Sequence, residues 1–183
     1  TICYTQLFSL ITWTSFGLRA ASGTLMGQNI GAGNPGRGRE CVLLAAALGT
    51  VWSVAVGVLF WTRPGLLLGL FNAATGPVHE FGASLLAFLA VSGVMVTITQ
   101  AMTGAMQGAG ATRPPLLIAF ATQIVILLGL CQVFSALGIL SARSIWTAIF
   151  VSHGARLVLT ALVFRTPNWV HVPVEIPRLE VES

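Results

Sequence analysis

Of the 183 residues 55% are apolar and 8% are charged, nine arginines against five glutamates for a net charge of +4. A soluble domain carries ~25% charged residues; with a mean hydropathy of +0.87 as well, a water-soluble domain, a disordered chain and a coiled coil are all excluded. The arginines are scattered singly with no basic run, so nucleic acid is not an expected partner.

The fold class that remains is an all-α membrane protein. A hydrocarbon layer ~30 Å thick needs about 20 apolar residues, so uncharged stretches of that length are read as spans. The first expected span runs over residues 6–28 and contains Arg19. Gly23, Gly27 and Gly31 recur in it every fourth residue and predict a smooth ridge where a neighbouring backbone can approach. The following Gly31-Ala32-Gly33-Asn34-Pro35-Gly36 matches a dinucleotide-binding pattern, but it follows an apolar helix and lacks an acid about 20 residues on. It is read as a tight turn between two helices.

The second span is expected over residues 41–61, whose 21 residues carry no charge. Residues 62–80 form the one long connection; its Leu66–Phe71 run is too short to cross and is expected to lie at the interface, with Trp61 and Phe71 at headgroup depth. The third span covers 81–106, and its second half is unusually polar, with Thr97, Thr99, Gln100, Thr103 and Gln107. Thr99 and Thr103 share a face at i, i+4, with Met95 and Met102 nearby as adaptable apolar surface. Gly104 and Gly108 repeat the small-residue spacing.

Pro114 and Pro115 suit the first turn of a fourth helix, expected as a span over 115–137, before a turn at Gly138. The fifth span, 144–164, contains His153 and Arg156. Residues 1–169 are thus taken as one partial transmembrane lobe of about five helices, and 170–183 as a short tail. Arg37, Arg39, Arg113, Arg165 and Arg178 fall on one side against Arg63 and Arg143 on the other, which predicts a cytoplasmic C-terminus and Thr1 outside. Thr1 follows no initiator Met, basic n-region or cleavage site, so a longer parent chain is expected.

Arginine at mid-bilayer is costly unless it faces protein or a wet cavity. Arg19 and Arg156 are therefore substrate-cavity candidates, together with Met95, Thr99, Gln100, Thr103, Gln123 and His153; for the polar residues among them, interhelical hydrogen bonding is the competing reading. Gly23, Gly27, Gly31, Gly104 and Gly108 are read as helix-packing positions. Enzyme chemistry is not expected. Adjacent Ser152 and His153 point about 100° apart on a helix, the chain has no Asp, and no Glu lies between Glu80 and Glu175. Cys3, Cys41 and Cys131 are too far apart in sequence for a metal or redox pair, and no metal site is expected.

The run from Gly17 to Pro35, containing Gly27-Gln28-Asn29-Ile30-Gly31-Ala32-Gly33-Asn34, resembles the G-Q-x-x-G-A-G-[ND] signature of the multidrug and toxic compound extrusion (MATE) family. Gln107-Gly108-Ala109-Gly110-Ala111-Thr112-Arg113-Pro114-Pro115 is similar to a second signature, R-G-x-G-D-T-R-x-P, and Ile145-Trp146 and Phe164-Arg165 through Trp169 fit the same order. The resemblance implies a twelve-helix exporter of two lobes, of which this chain would supply helices eight to twelve. It implies a multi-pass cell-membrane transporter that exports organic, xenobiotic compounds, amphipathic and often cationic, by cation-coupled antiport with alternating access.

The implied partners are the lipid bilayer, a small organic substrate and the N-terminal lobe of the same parent. No cofactor is expected beyond an H⁺ or Na⁺ gradient. Some family members carry a coupling acid where this chain has Val96, and it also has Gln107 for the usual Arg and Ala111 for the usual Asp. The coupling site is therefore expected on the rest of the parent. The alternatives are a lipid-linked oligosaccharide flippase of a related superfamily, which cationic cavity residues would favour, and a non-transporting membrane assembly subunit.

Overall fold

Long apolar runs punctuated by Gly, Asn and Pro fix where each helix starts and stops. The computed structural model describes residues 2–69, 77–167 and 169–170. Helix α1 (Ile2–Gly31) ends in a turn in which Gly33 takes φ +75°, a left-handed conformation suited to glycine, and Pro35 opens α2 (Pro35–Thr62). A short helix α3 (Pro64–Gly69) follows, then α4 (Pro77–Gly108). Gly110 at φ +81° turns the chain into α5 (Arg113–Ala136), which begins on Pro114 and Pro115. Gly138 at φ +70° leads to α6 (Ala142–Arg165). Ser141 and Ser144 cap that last helix reciprocally, each side chain bonding the other's backbone N–H.

Among the described residues four helices are long and apolar enough to cross a membrane: Pro35–Thr62, Ser84–Gly108, Arg113–Ala136 and Ala142–Arg165. The expected first span, α1, is 30 residues long but is not in that group, because Arg19 and the hydroxyl residues Thr12, Thr14, Ser15 and Ser22 lower its mean hydropathy. Within 62–80, Pro64–Gly69 is a short helix and 77–80 open α4; Phe71 and residues 171–183 of the tail lie outside the described residues. Outward faces are apolar, as lipid requires: Leu44, Leu48 and Val51 on α2 and Leu116, Leu117 and Val125 on α5 are all more than 60% exposed.

Helix α4 is the centre of the bundle. On one side it packs against α1 and α2, which also touch each other; on the other it packs against α6, and α5 lies against α6. One apolar cluster, Ile11, Val56, Phe60, Leu67, Leu86, Leu89 and Ala90, fills one end. A second joins Met26, Val42, Ala105, Met106, Phe164 and Trp169 at the other. At that second end Arg39 donates to the Thr166 carbonyl at 2.7 Å and lies over the Trp169 ring, 5.2 Å from its centroid. The start of α2 and the end of α6 are therefore on the same face of the bundle.

Close approach of α1 and α4 depends on their glycines. A Cβ on Gly104 would collide with the Arg19 carbonyl, and one on Gly108 with the Gly23 carbonyl. Gly23 and Gly27 meet the Gly104 and Gly108 carbonyls in turn, at 3.1 and 3.2 Å from their would-be Cβ positions. Gly31, expected as the third step of the ridge, has nothing within 4 Å, because α4 ends at Gly108.

A hydroxyl cluster sits where α1, α2 and α4 converge. Thr97 Oγ1 is 2.9 Å from Ser15 Oγ and 2.6 Å from Ser53 Oγ, and all three residues are buried. Ser15 and Thr97 also reach the carbonyls of Ile11 and Gly93. The three hydroxyl protons thus serve four short contacts, so every oxygen in this apolar setting has a partner.

Within α5 the stretch Ala121–Leu128 is π-helical, and the Thr122 hydroxyl donates to the Ile118 carbonyl at 2.8 Å. Ser152 on α6 donates to the Thr122 carbonyl at 2.7 Å. That bond joins the two helices at the irregular stretch and occupies the Ser152 hydroxyl.

Candidate functional site

The polar residues of α4 select one of its faces. Val96, Gln100 and Gln107 are separated by four and seven residues, so they stack along one stripe. Helix α1 flanks that stripe on one side and α6 on the other. Arg19 of α1 donates to Gln107 Oε1 from Nε at 3.0 Å and from Nη2 at 2.8 Å. Around this pair is a groove of about 290 Å³ lined by Phe16, Ala20, Gly23, Thr24, Gly104 and Gly108 as well. On the α6 side Val96, Thr99, Gln100, His153 and Arg156 enclose a smaller space of about 50 Å³.

The structure thus brings Thr99, Gln100, His153 and Arg156 into one pocket and places Arg19 in a separate groove along the same helix. Thr99 Oγ1 is committed to the Met95 carbonyl at 2.7 Å, whereas Gln100 Oε1 is buried with no hydrogen-bond partner. Arg156 is half-buried on α6, and Arg19 is half-buried on α1. Among the described residues neither arginine is in an ion pair, and no three His, Cys or carboxylate side chains come together as a metal site.

The other candidates fall elsewhere. Met95 lies about 100° round α4 from Val96 and lines an apolar groove of about 530 Å³ between α2, α4 and α6, with Val54, Val58, Trp61, Val91 and Leu157. Met102 packs on the apolar cluster around Met106. Thr103 is buried within the bundle, and Gln123 is half-buried on the π-helical part of α5.

Gln107 as the partner of Arg19 and Ser15 and Ser53 as partners of Thr97 were not among the sequence candidates. The α2 spacing Gly49, Ser53, Gly57 carries a signal for the latter, since small residues every fourth position mark a close helix contact. The would-be Cβ of Gly49 meets Leu18 and Thr97 side chains, and that of Gly57 meets Ala90.

The family model for MatE matches residues 2–133, which carry α1, α2, α4 and most of α5. The chain belongs to the MatE family. It is 27% identical over 145 residues to the "Probable multidrug resistance protein NorM" of Deinococcus radiodurans, covering 77% of this chain and 32% of that one. It is 27% identical over 154 residues to "Protein DETOXIFICATION 14" of Arabidopsis thaliana, covering 83% and 31%. To the "Probable multidrug resistance protein NorM" of Thermotoga maritima it is 26% identical over 164 residues, covering 88% and 34%. The MatE chain described here therefore spans about a third of the length of these relatives, and its helices are a membrane bundle of that family.

Proposed function

We propose that these helices are one wall of the substrate cavity of a secondary transporter that exports organic compounds by cation-coupled antiport and alternating access. The observation that carries this reading is the polar stripe of α4 left open between α1 and α6, in a MatE chain whose relatives are named for multidrug resistance. A wet, amphipathic wall suits drug-like ligands, because apolar lining gives affinity and a few polar groups fix orientation. Efflux of a dye from cells expressing the complete parent tests it. Efflux that stops when an ionophore collapses the cation gradient is the expected result; absence of efflux, or efflux indifferent to the ionophore, overturns it.

No Asp occurs in the chain, and Glu40, Glu80, Glu175, Glu180 and Glu182 are outside 84–165. The H⁺ or Na⁺ coupling carboxylate therefore belongs to the remainder of the parent, and neutralising carboxylates there should uncouple transport. Coupling that survives every such change contradicts this. The location is the cell membrane, with the C-terminus in the cytoplasm. A membrane-impermeant thiol reagent applied to intact cells should label Cys3 and spare Cys41; the opposite pattern reverses the topology. A second reading, a flippase for lipid-linked sugars, is favoured by Arg19 and Arg156 in the two polar spaces along α4, and translocation of a pyrophosphate-linked sugar lipid instead of dye would support it.

A further inference from the structure

The two polar spaces along α4 hold one guanidinium each and no acid. Among the described residues Arg19 bonds only the neutral amide of Gln107, and Arg156, half-buried beside Gln100 and His153, has no ion pair. A guanidinium does not neutralise by losing its proton, so in a membrane cavity with no acid beside it each arginine is a ready partner for an anion. Helices α1, α5 and α6 have no carboxylate, and the Glu40 of α2 is exposed at its start.

Gln100 adds a second requirement. Its Oε1 is buried and unbonded beside Arg156, and the nearby Thr99 hydroxyl is already committed to Met95. A buried acceptor without a donor is unfavourable, so the occupant should bring an N–H or O–H. An ionised carboxylate from the rest of the protein would satisfy the arginines and leave this oxygen unmet. The space of about 50 Å³ at Gln100 and Arg156 fits a small polar group, while the groove of about 290 Å³ beside Arg19, with the Phe16 ring on its wall, fits a larger body.

We propose that the face of α4 between α1 and α6 binds an amphiphilic organic anion. Its carboxylate, sulfonate or phosphate oxygens accept from Arg156 and Arg19, and a hydroxyl or amine beside them donates to Gln100 Oε1. This rests on the groove being part of an export cavity, and it sets the charge of the cargo that the cavity accepts.

Fluorescein and rhodamine 123 share a xanthene body and differ in charge, so they serve as probes. Binding of each to the purified complete parent in phosphatidylcholine nanodiscs is followed by fluorescence anisotropy, slightly below neutral pH, where fluorescein keeps a phenol proton. Fluorescein should bind saturably and lose affinity as salt is added. Arg156→Gln and Arg19→Gln should each weaken it by about tenfold or more, Arg156→Lys by less, whereas rhodamine 123 should bind the Gln variants more tightly because a like charge is removed. Displacement of fluorescein by added phosphatidylglycerol would support the same site with a lipid headgroup as the source of the anion.

Fluorescein that fails to bind, or that binds equally to both Gln variants, overturns the proposal; the second result is the one expected if a carboxylate of the remaining chain already holds the arginines. Export of rhodamine 123 without fluorescein binding removes the anion site and keeps the exporter. Fluorescein binding that depends on both arginines, in a protein that moves neither dye, does the reverse.

Discussion

Arg19 on α1 places both Nε and Nη2 on a single oxygen of Gln107 on α4, at 3.0 and 2.8 Å, one turn along from where the two backbones touch at Gly104. A neutral amide thus orients a cation at the edge of the groove while leaving its charge uncompensated. Replacing Gln107 with Leu removes the acceptor and should lower stability by about 1–3 kcal/mol. Gln107→Glu should hold or raise stability by forming an ion pair. Thermal unfolding of the complete parent in detergent checks both; equal midpoints for the Leu variant and the unmodified protein would show that the bond contributes nothing.

Gly104→Ala or Gly108→Ala should be the most damaging small change in the bundle. The added methyl meets a backbone carbonyl of α1, which cannot rotate away, so the helices must separate. A cost of about 3 kcal/mol or more is expected. Gly129→Ala, in a helix and with nothing within 4 Å, should stabilise by roughly 0.5–1 kcal/mol. Thermal midpoints should therefore move in opposite directions; a neutral Gly104→Ala contradicts the close packing.

Thr97→Val keeps the shape and removes the hydroxyl shared by Ser15 and Ser53. Ser15 retains the Ile11 carbonyl, but Ser53 loses its partner. A loss of about 1–2 kcal/mol is expected, with Thr97→Ser near neutral. Denaturant midpoints of the two variants give the comparison, and equal effects would rule out the hydroxyl as the cause.

Trp169 stacks on Phe164 with ring centroids 5.1 Å apart, donates Nε1–H to the Phe164 carbonyl and receives Arg39 on its face. Trp169→Ala should release the end of α6 and raise trypsin cleavage at Arg165 several-fold. Arg39→Lys, which keeps the charge but loses the planar guanidinium, should give a smaller rise. Cleavage unchanged in Trp169→Ala would mean that other contacts hold this end.

The long apolar helices were legible in the sequence because lipid thickness sets a length that an uncharged run such as Cys41–Trp61 or Phe81–Met106 either meets or does not. Glycine contacts were legible as spacing, but Gly31 shows the limit: periodicity does not reveal where the partner helix stops. Thr99, Gln100, His153 and Arg156 were separate candidates whose meeting depends on the rotation of α4 against α6. Met95 illustrates the same point, since a 100° turn puts it in a different groove from Val96. The π-helical stretch Ala121–Leu128 has neither Gly nor Pro inside it, and its register is tied to Ser152 on another helix. Nothing local announces it.

Whether the α4 stripe faces water is tested most directly by cysteine accessibility in the complete parent. Ala20→Cys and Val96→Cys, both on the groove, are compared with Val125→Cys on the lipid face of α5, where Val125 is 61% exposed. A charged, water-soluble thiol reagent should modify the first two at least tenfold faster than the third, since a thiol reacts as the hydrated thiolate. Equal, slow reaction at all three positions would mean that the groove is dry and would contradict the cavity on which the transport reading depends.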